Sequence, residues 1–363
     1  MSRDTIRLPH DAYRLLQTLR AAGHSAYVVG GCVRDSLLGR LPGDWDICTS
    51  ARPDEMKALF HDQRLILTGE KHGTVAVILH GKPYEMTTYR LDGSYRDHRH
   101  PDNVQFVDDL AADLARRDFT INAMAYAPGE GVIDLYGGRS DLAARVVRCV
   151  GTPADRFAED ALRILRLYRF AARFGFVLDA ATARAARQLA PHLDCISAER
   201  IQEELAKLLT APQPGAYLEP AVLAVVLPEL TPAALDAAKP VVDACPAGEE
   251  NLPVRWAALL GALGETDTRR VLKRLRCSNA CIEETAVLVR ETAGKGVCRS
   301  FSEEKASAHP SDIHLRQLLG RYGLCTVERL CALCAALRPQ AAPECALAAQ
   351  RAEVVKQMRR KDA

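Results

Sequence analysis

The sequence changes character once, at Gly137-Gly138, and that change limits what the chain can fold into. Before it, short stretches with strand character recur at Tyr27–Val29, Trp45–Cys48, Val75–Leu79, Tyr84–Tyr89 and Val104–Val107, separated by glycine, proline and asparagine turns. Helices are expected between them at 8–20, 33–38, 54–60 and 118–126. After it the pattern is helical and alanine-rich to the end, with breaks at Pro212–Gly215, Pro240–Asn251 and Ala293–Pro310. The order predicts an α+β chain, β-rich first and helical afterwards. At 363 residues there is length for two or three domains and a sizeable core.

Within the β-rich part, YVVGGCVRDSLLGRLPGDWDICTS carries the chemistry. Ala26 to Val29 reads as a buried strand that runs into a tight turn at Gly30-Gly31, and Val33 to Leu38 as the first turns of a helix. A turn without side chains that opens a helix, with Gly31 at its start and Arg34 just beyond, suits a polyphosphate. Asp44 and Asp46 follow, separated by Trp45. On a strand, alternate residues share a face, so the two carboxylates converge while Trp45 packs behind them. Converging carboxylates beside a phosphate cradle are what Mg²⁺ requires. Alternation also puts Glu85 with Thr87 and Tyr89 on one face of its strand, which makes Glu85 the candidate third carboxylate; an exposed strand acid is the plain alternative.

Composition excludes little. Apolar residues make up 48% and charged residues 26% of the chain, ordinary for a globular protein. No apolar run reaches the length of a membrane span, and the N-terminal MSRDTIRLPHD lacks a secretory h-region, so a cytosolic protein is expected. The twelve cysteines are then expected as free thiols. Cys325, Cys331, Cys334 and Cys345 cluster near the end, but their CxxC lies in the helical run VERLCALCAALR and reads as small buried hydrophobes rather than as zinc ligands. Net charge is only +2, yet six arginines against one acid lie between Arg163 and Arg187, and five basic residues against two acids follow from Arg351. Such clustering suits a partner held by its phosphates, although the C-terminal stretch alone reads as a solvated face.

GGCVRD with GDWDI resembles the signature of the nucleotidyltransferase superfamily, in the branch of tRNA nucleotidyltransferases and bacterial poly(A) polymerases. TGEKHGTV (68–75), EMTTYRLDGSYRDHRHPDNVQFV (85–107), RRDFTINAMAY (116–126), EDALRILRLYRFAARFGF (159–176) and AERIQEEL (198–205) follow in the order that branch has them, and VLKRLRCSN (271–279) is similar to a later helical piece. The chain is identified as a member of the class II CCA-adding enzymes. The resemblance implies a nucleotidyltransferase-superfamily β-sheet head over 1–140, a helical neck over 141–210 that holds the base-reading helix, a helical body over 211–295 and a helical tail over 296–363 in contact with tRNA. It implies addition or repair of the 3′-terminal CCA of tRNA from CTP and ATP, without a template, by two-metal nucleotidyl transfer that releases pyrophosphate. Asp44 and Asp46 would hold Mg²⁺. No membrane and no protein partner are implied. A bacterial poly(A) polymerase, or an enzyme that adds only CC or only A, remains the alternative; a non-catalytic nucleotide sensor fits less well with Asp44, Asp46, Arg117 and Asp160 all present.

The resemblance also gives roles to later residues. Arg117 and Asp118 would meet the phosphate and ribose of the nucleotide, with Asn122 supporting the turn; capping of a helix would account for Asp118 alone but not for Arg116-Arg117 before it. At about 100° per residue, Arg163, Arg166, Arg169 and Arg173 fall within an arc of about 120°, with Ala161, Ile164, Leu165, Tyr168 and Ala172 opposite. Asp160 stands one turn before Arg163, at the spacing of an ion pair. In the family this pair reads the base: adenine and cytosine both offer an amine beside a ring-nitrogen acceptor, whereas guanine and uracil offer a carbonyl beside an N–H. Arg166 and Arg169 would neutralise the triphosphate or hold the pair. The charged segment with Arg90, Asp92, Asp97 and Arg99 looks like the flexible loop that the family uses when it switches from C to A, which argues for full CCA addition.

Overall fold

The computed structural model describes residues 5–92, 104–293 and 312–361. The chain divides into two compact units, Met1–Arg163 with Phe176–Cys195, and Ile164–Gly175 with Ile196–Ala363. The first unit opens with α1 (His10–Ala21), β1 (Ala26–Val29), α2 (Gly31–Leu37), β2 (Ile47–Thr49), α3 (Pro53–Leu59) and β3 (Arg64–Ile66). The hairpin β4 (Thr74–Leu79) and β5 (Lys82–Thr88) follows, then the ribbon β6 (Arg90–Asp92) and β7 (Val104–Phe106). Next come α4 (Leu110–Ala115), β8 (Met124–Ala127), β9 (Gly131–Asp134), α5 (Gly138–Ala144), β10 (Val146–Val147) and α6 (Pro153–Glu159). The long helix α7 (Leu162–Phe174) leads to β11 (Val177–Leu178) and α8 (Ala180–Leu189).

Among the described residues, seven strands form one sheet in the order β3-β4-β5-β2-β1-β8-β9. Its pairs are antiparallel except β2 with β5, which run parallel. α1 buries Ala12, Leu15, Leu16 and Leu19, the three-and-four spacing of one helical stripe. Trp45 is buried as the alternation requires, although the ladder begins two residues later, at Ile47. The helix expected over 118–126 is absent. A single 3₁₀ turn, Thr120–Asn122, leads instead into β8, whose four residues are all buried between β1 and β9. Met and Ala favour helix in isolation, and burial in the sheet centre overrides that preference. Among the described residues past 138, the regular structure is helical apart from the short parallel pair β10–β11.

The second unit holds most of α7 together with α9 (Ala198–Leu209), α10 (Pro220–Val226), α11 (Pro232–Ala244), α12 (Leu252–Leu260), α13 (Gly264–Arg274), α14 (Asn279–Thr292), α15 (Asp312–Leu337) and α16 (Ala342–Lys361). Gly323, at φ +78°, breaks α15. Cys331, Cys334 and Cys345 lie in an apolar cluster with Leu315, Val327 and Val355, the role expected for them, whereas Cys325 is exposed and does not fill it. Among the described residues ten cysteines are free thiols, whereas Cys334 is in a disulfide, which corrects the expectation that every cysteine is reduced. No described helix is long and apolar enough to cross a membrane.

Arg255 organises this unit. It is wholly buried and donates to the carbonyls of Leu209 (2.6 Å), Ala211 (2.5 Å), Cys245 (2.8 Å), Pro246 (2.9 Å) and Pro212 (3.3 Å). One planar guanidinium thereby satisfies the last carbonyl of α9 and the loops beyond α9 and α11, groups that helix ends leave unpaired. Arg255→Met leaves these buried acceptors without donors, at about 1–3 kcal/mol each. The variant is expected to lose at least about 3 kcal/mol of unfolding free energy in urea. Arg255→Lys is expected to rescue little of it, because an ammonium cannot reproduce the fork. A lysine variant as stable as the wild type would show that charge alone, not geometry, holds these loops.

Candidate active site

Strand register assembles the carboxylates. Val28 pairs with Ile47, and Ile47 with Met86 on parallel β5. One residue earlier, the Val29 amide donates to the Asp46 carbonyl at 3.0 Å, and the same register sets Asp46 beside Glu85. Neighbours at equal register point to one face of a sheet. Glu85 is exposed between buried Tyr84 and Met86, so that face is open to solvent. Asp44, two residues before Asp46, is exposed as well. Burial first, then the charges of Asp44 and Glu85, push the Asp46 carboxyl up to about 6, and Arg117 opposes them. Fold and like-charge crowding thus concentrate negative potential at Asp46.

Gly30 completes this edge. It stands at φ +79°, and a Cβ added there would lie 3.0 Å from Nη1 of Arg117 and 3.7 Å from the carbonyl of Asn122. The double glycine thus lets an arginine approach the backbone. Gly31 begins α2, where an added Cβ would sit 3.5 Å from Arg34. Arg34 itself departs from the expected phosphate role. Its side chain is 4% exposed, donates from Nε to Asp35 at 2.8 Å, and forms a short bond to Oδ1 of Asn122. Turned inward, it braces the turn. Nδ2 of Asn122 in turn donates to Asp118 at 3.0 Å, and the Phe119 amide donates to the same carboxylate oxygen at 2.8 Å. Asp118 caps no α-helix; it belongs to a buried Arg34–Asn122–Asp118 relay.

Arg117 has the character of a ligand-facing group. Its side chain is 21% exposed, one nitrogen donates to Asp113 at 3.2 Å, and its buried Nε has no hydrogen-bond partner among the described residues. Arg116 is bound to the same carboxylate through Nε at 3.0 Å and Nη2 at 2.6 Å.

Asp160 lies between two helices rather than one turn inside a single helix. α6 ends at Glu159, Asp160 has extended angles (φ −141°, ψ 103°), and α7 begins at Leu162, whose amide donates to the Asp160 carboxylate at 3.1 Å. The helical spacing argument therefore does not apply to Asp160. Arg163 pairs with Glu159 at 2.5 Å, and donates to the carbonyls of Arg156 (3.1 Å) and Arg116 (3.0 Å). Along α7 the expected apolar side is buried at Ile164, Leu165, Tyr168 and Ala172. In the second unit, Arg169 pairs with Glu204 of α9 at 2.5 Å, Arg166 lies 3.8 Å from the same residue, and Arg169 stacks 4.0 Å over Phe170. Arg90 donates to the carbonyl of His72 from β6. Asp92 ends β6, and Asp97 and Arg99 lie outside the described residues.

The sequence reading passed over Asp113, Glu159 and Glu204. Asp113 and Glu159 were recoverable, because each stands three or four residues before the arginine it holds. Glu204 was not, because it comes from another helix.

The sequence matches the family described as "Poly A polymerase head domain" over residues 26–148, and "Probable RNA and SrmB- binding site of polymerase A" over 175–234. A CCA-adding enzyme of Limosilactobacillus reuteri is 48% identical over 205 residues, 56% of this chain and 50% of that protein. One from Geobacillus stearothermophilus is 40% identical over 298 residues, 78% of this chain and 70% of that protein. The chain thus spans only about half the length of the first of these relatives. The crystal structure of the Bacillus stearothermophilus CCA-adding enzyme in complex with CTP superposes with a TM-score of 0.76 at 35% identity, covering 94% of this chain and 81% of that one. With that extent of shared sequence and fold, the chain belongs to the family of CCA-adding enzymes.

Proposed function

We propose that this protein adds the 3′-terminal CCA to tRNA from CTP and ATP without a template. The observation that carries the reading is the crowding of Asp44, Asp46 and Glu85 at the open sheet face with Arg117 opposite. Relatives named as CCA-adding enzymes, one of them solved with CTP, support it. In the reaction the terminal 3′-oxygen of the RNA bonds to the α-phosphorus, the bond to the β-phosphate oxygen breaks, and pyrophosphate leaves.

The acids suit Mg²⁺. Among the described residues no three His, Cys, Asp or Glu side chains form a ready-made metal site, and Mg²⁺ is commonly held by one or two carboxylates with substrate phosphates and water completing its shell. Asp44 and Asp46 would hold it, and Glu85 would add negative charge beside them. A bound divalent cation supplies charge stabilisation at the transferring phosphate and activation of the attacking hydroxyl. Arg117, over Gly30, would grip the phosphates, and Asp118 would orient the ribose through the relay it belongs to. Asp160 and Arg163 would read the base, while Glu204 holds Arg166 and Arg169 to stiffen α7. The head would be 1–140, the neck 141–210, the body 211–295 and the tail 296–363, with tRNA held by shape and phosphates. The loop containing Arg90, Asp92, Asp97 and Arg99 would support the final A.

The first test is the product ladder on tRNA lacking CCA, with CTP alone, ATP alone and both. Two C residues from CTP and one further A from both are expected. A long A tract from ATP would point to a poly(A) polymerase instead, a reading that the head-domain match keeps in view.

A second test uses the raised Asp46 carboxyl. A folded-state value near 6, above the ordinary 3.8, makes ionisation a cost to folding that is fully present above about pH 6 and shrinks as pH falls toward about 4. In chelator at pH 7.5, Asp46→Asn is therefore expected to be more stable to unfolding, by on the order of 1–3 kcal/mol, while losing nucleotide addition. Mg²⁺ should narrow that gap by stabilising only the wild type. A variant no more stable than the wild type at neutral pH would remove the crowded-carboxylate argument.

Base reading is tested with Asp160→Asn, which keeps an acceptor oxygen for the Leu162 amide but brings an N–H₂ toward the base. Rejection of UTP and GTP is expected to relax by about ten- to a hundredfold on the same tRNA. Unchanged rejection would leave Asp160 as a helix cap only.

A further inference from the structure

The geometry points to Asp113 as a positioning residue that sets Arg117 toward the nucleotide and ties it to Arg163. This rests on the nucleotidyl-transfer reading above. Asp113 is wholly buried near the end of α4. One of its oxygens takes both Nε and Nη2 of Arg116, which leaves the other for Nη2 of Arg117 at 3.2 Å. Against the effect of burial, Arg117 and Arg116 hold its carboxyl below the ordinary range, so it stays charged. Held by one nitrogen, Arg117 keeps Nη1 over Gly30 and a buried Nε without a hydrogen-bond partner among the described residues. An unsatisfied buried donor on a fixed guanidinium is a group waiting for an acceptor, and a phosphate oxygen matches it.

The same turn reaches the base-reading side. The Ala115 carbonyl accepts from Arg156 at 3.1 Å, and the Arg116 carbonyl from Arg163 at 3.0 Å. These are the carbonyls that the end of a helix leaves open, and its dipole favours cations there. Asp113 grips the two side chains that follow these carbonyls, so the phosphate-facing and base-facing arginines are fixed by one short piece of backbone. A surface ion pair would not do this, because two exposed side chains hold no common geometry.

Equilibrium binding of CTP and of ATP to the full chain, without tRNA, provides the test by calorimetry on the wild type, Asp113→Asn, Arg117→Met and the double variant. Asp113→Asn is expected to weaken both nucleotides by about tenfold or more. In the Arg117→Met background it is expected to add little, because a residue that acts through another has no effect once that partner is gone. A purely structural role would weaken binding by the same factor in both backgrounds, and that result overturns the proposal. Wild-type affinity in Asp113→Asn overturns it too, while leaving the nucleotidyl-transfer reading in place. Asp113→Glu keeps the charge and moves it by one methylene; should the asparagine variant fail to fold, this variant decides, with weakened binding expected and wild-type affinity overturning the proposal. A wild-type chain that bound neither nucleotide would overturn both readings.

Discussion

Everything at the candidate site depends on one hydrogen-bonded register. β2 is held antiparallel to β1 and parallel to β5, and the residue before its first ladder position is Asp46. A slip of one residue would turn Asp46 into the core and Trp45 outward, since side chains alternate faces. The buried Trp45 and Ile47 on either side of Asp46 make that slip costly. Apolar burial thereby locks three carboxylates into mutual repulsion, and the fold tolerates at Asp46 a charge that water would hold more cheaply.

The same economy governs the arginines. Among the described residues, buried Arg34 and Arg169 and half-buried Arg116, Arg117 and Arg163 have acidic partners: Asp35, Glu204, Asp113, Asp113 and Glu159. Buried Arg255 is surrounded by carbonyl dipoles instead. Removing one member of such a pair leaves an unmatched buried charge, which is why these partners matter more than their weak net attraction suggests.

Sequence patterning was sufficient where structure is local. The stripe of α1, the strand–turn–helix around Gly30 and the apolar side of α7 follow from residue period and turn chemistry. It failed where neighbours decide. MAYA became the buried strand β8 because a sheet centre was available to it. Asp160 fell out of the helix because α6 ends at Glu159, and Glu159, one position earlier, pairs with Arg163. Arg34 resembled a phosphate ligand in the sequence and is a buried brace, since Asn122, far along the chain, closes over it.

The sequence by itself determined the kinds of group that the site needs and their order: the double glycine, the spaced aspartates, the paired arginines and the arginine-lined helix. Those are matters of chemical identity and short spacing, which the chain carries wherever it goes. Tertiary structure decided which of these groups face solvent and which brace the fold. Asp46 met Glu85 through a parallel strand pair, and Arg117 met Gly30 through a turn from much later in the chain. Such meetings depend on burial of distant apolar faces against one another, and no local pattern encodes the geometry that results.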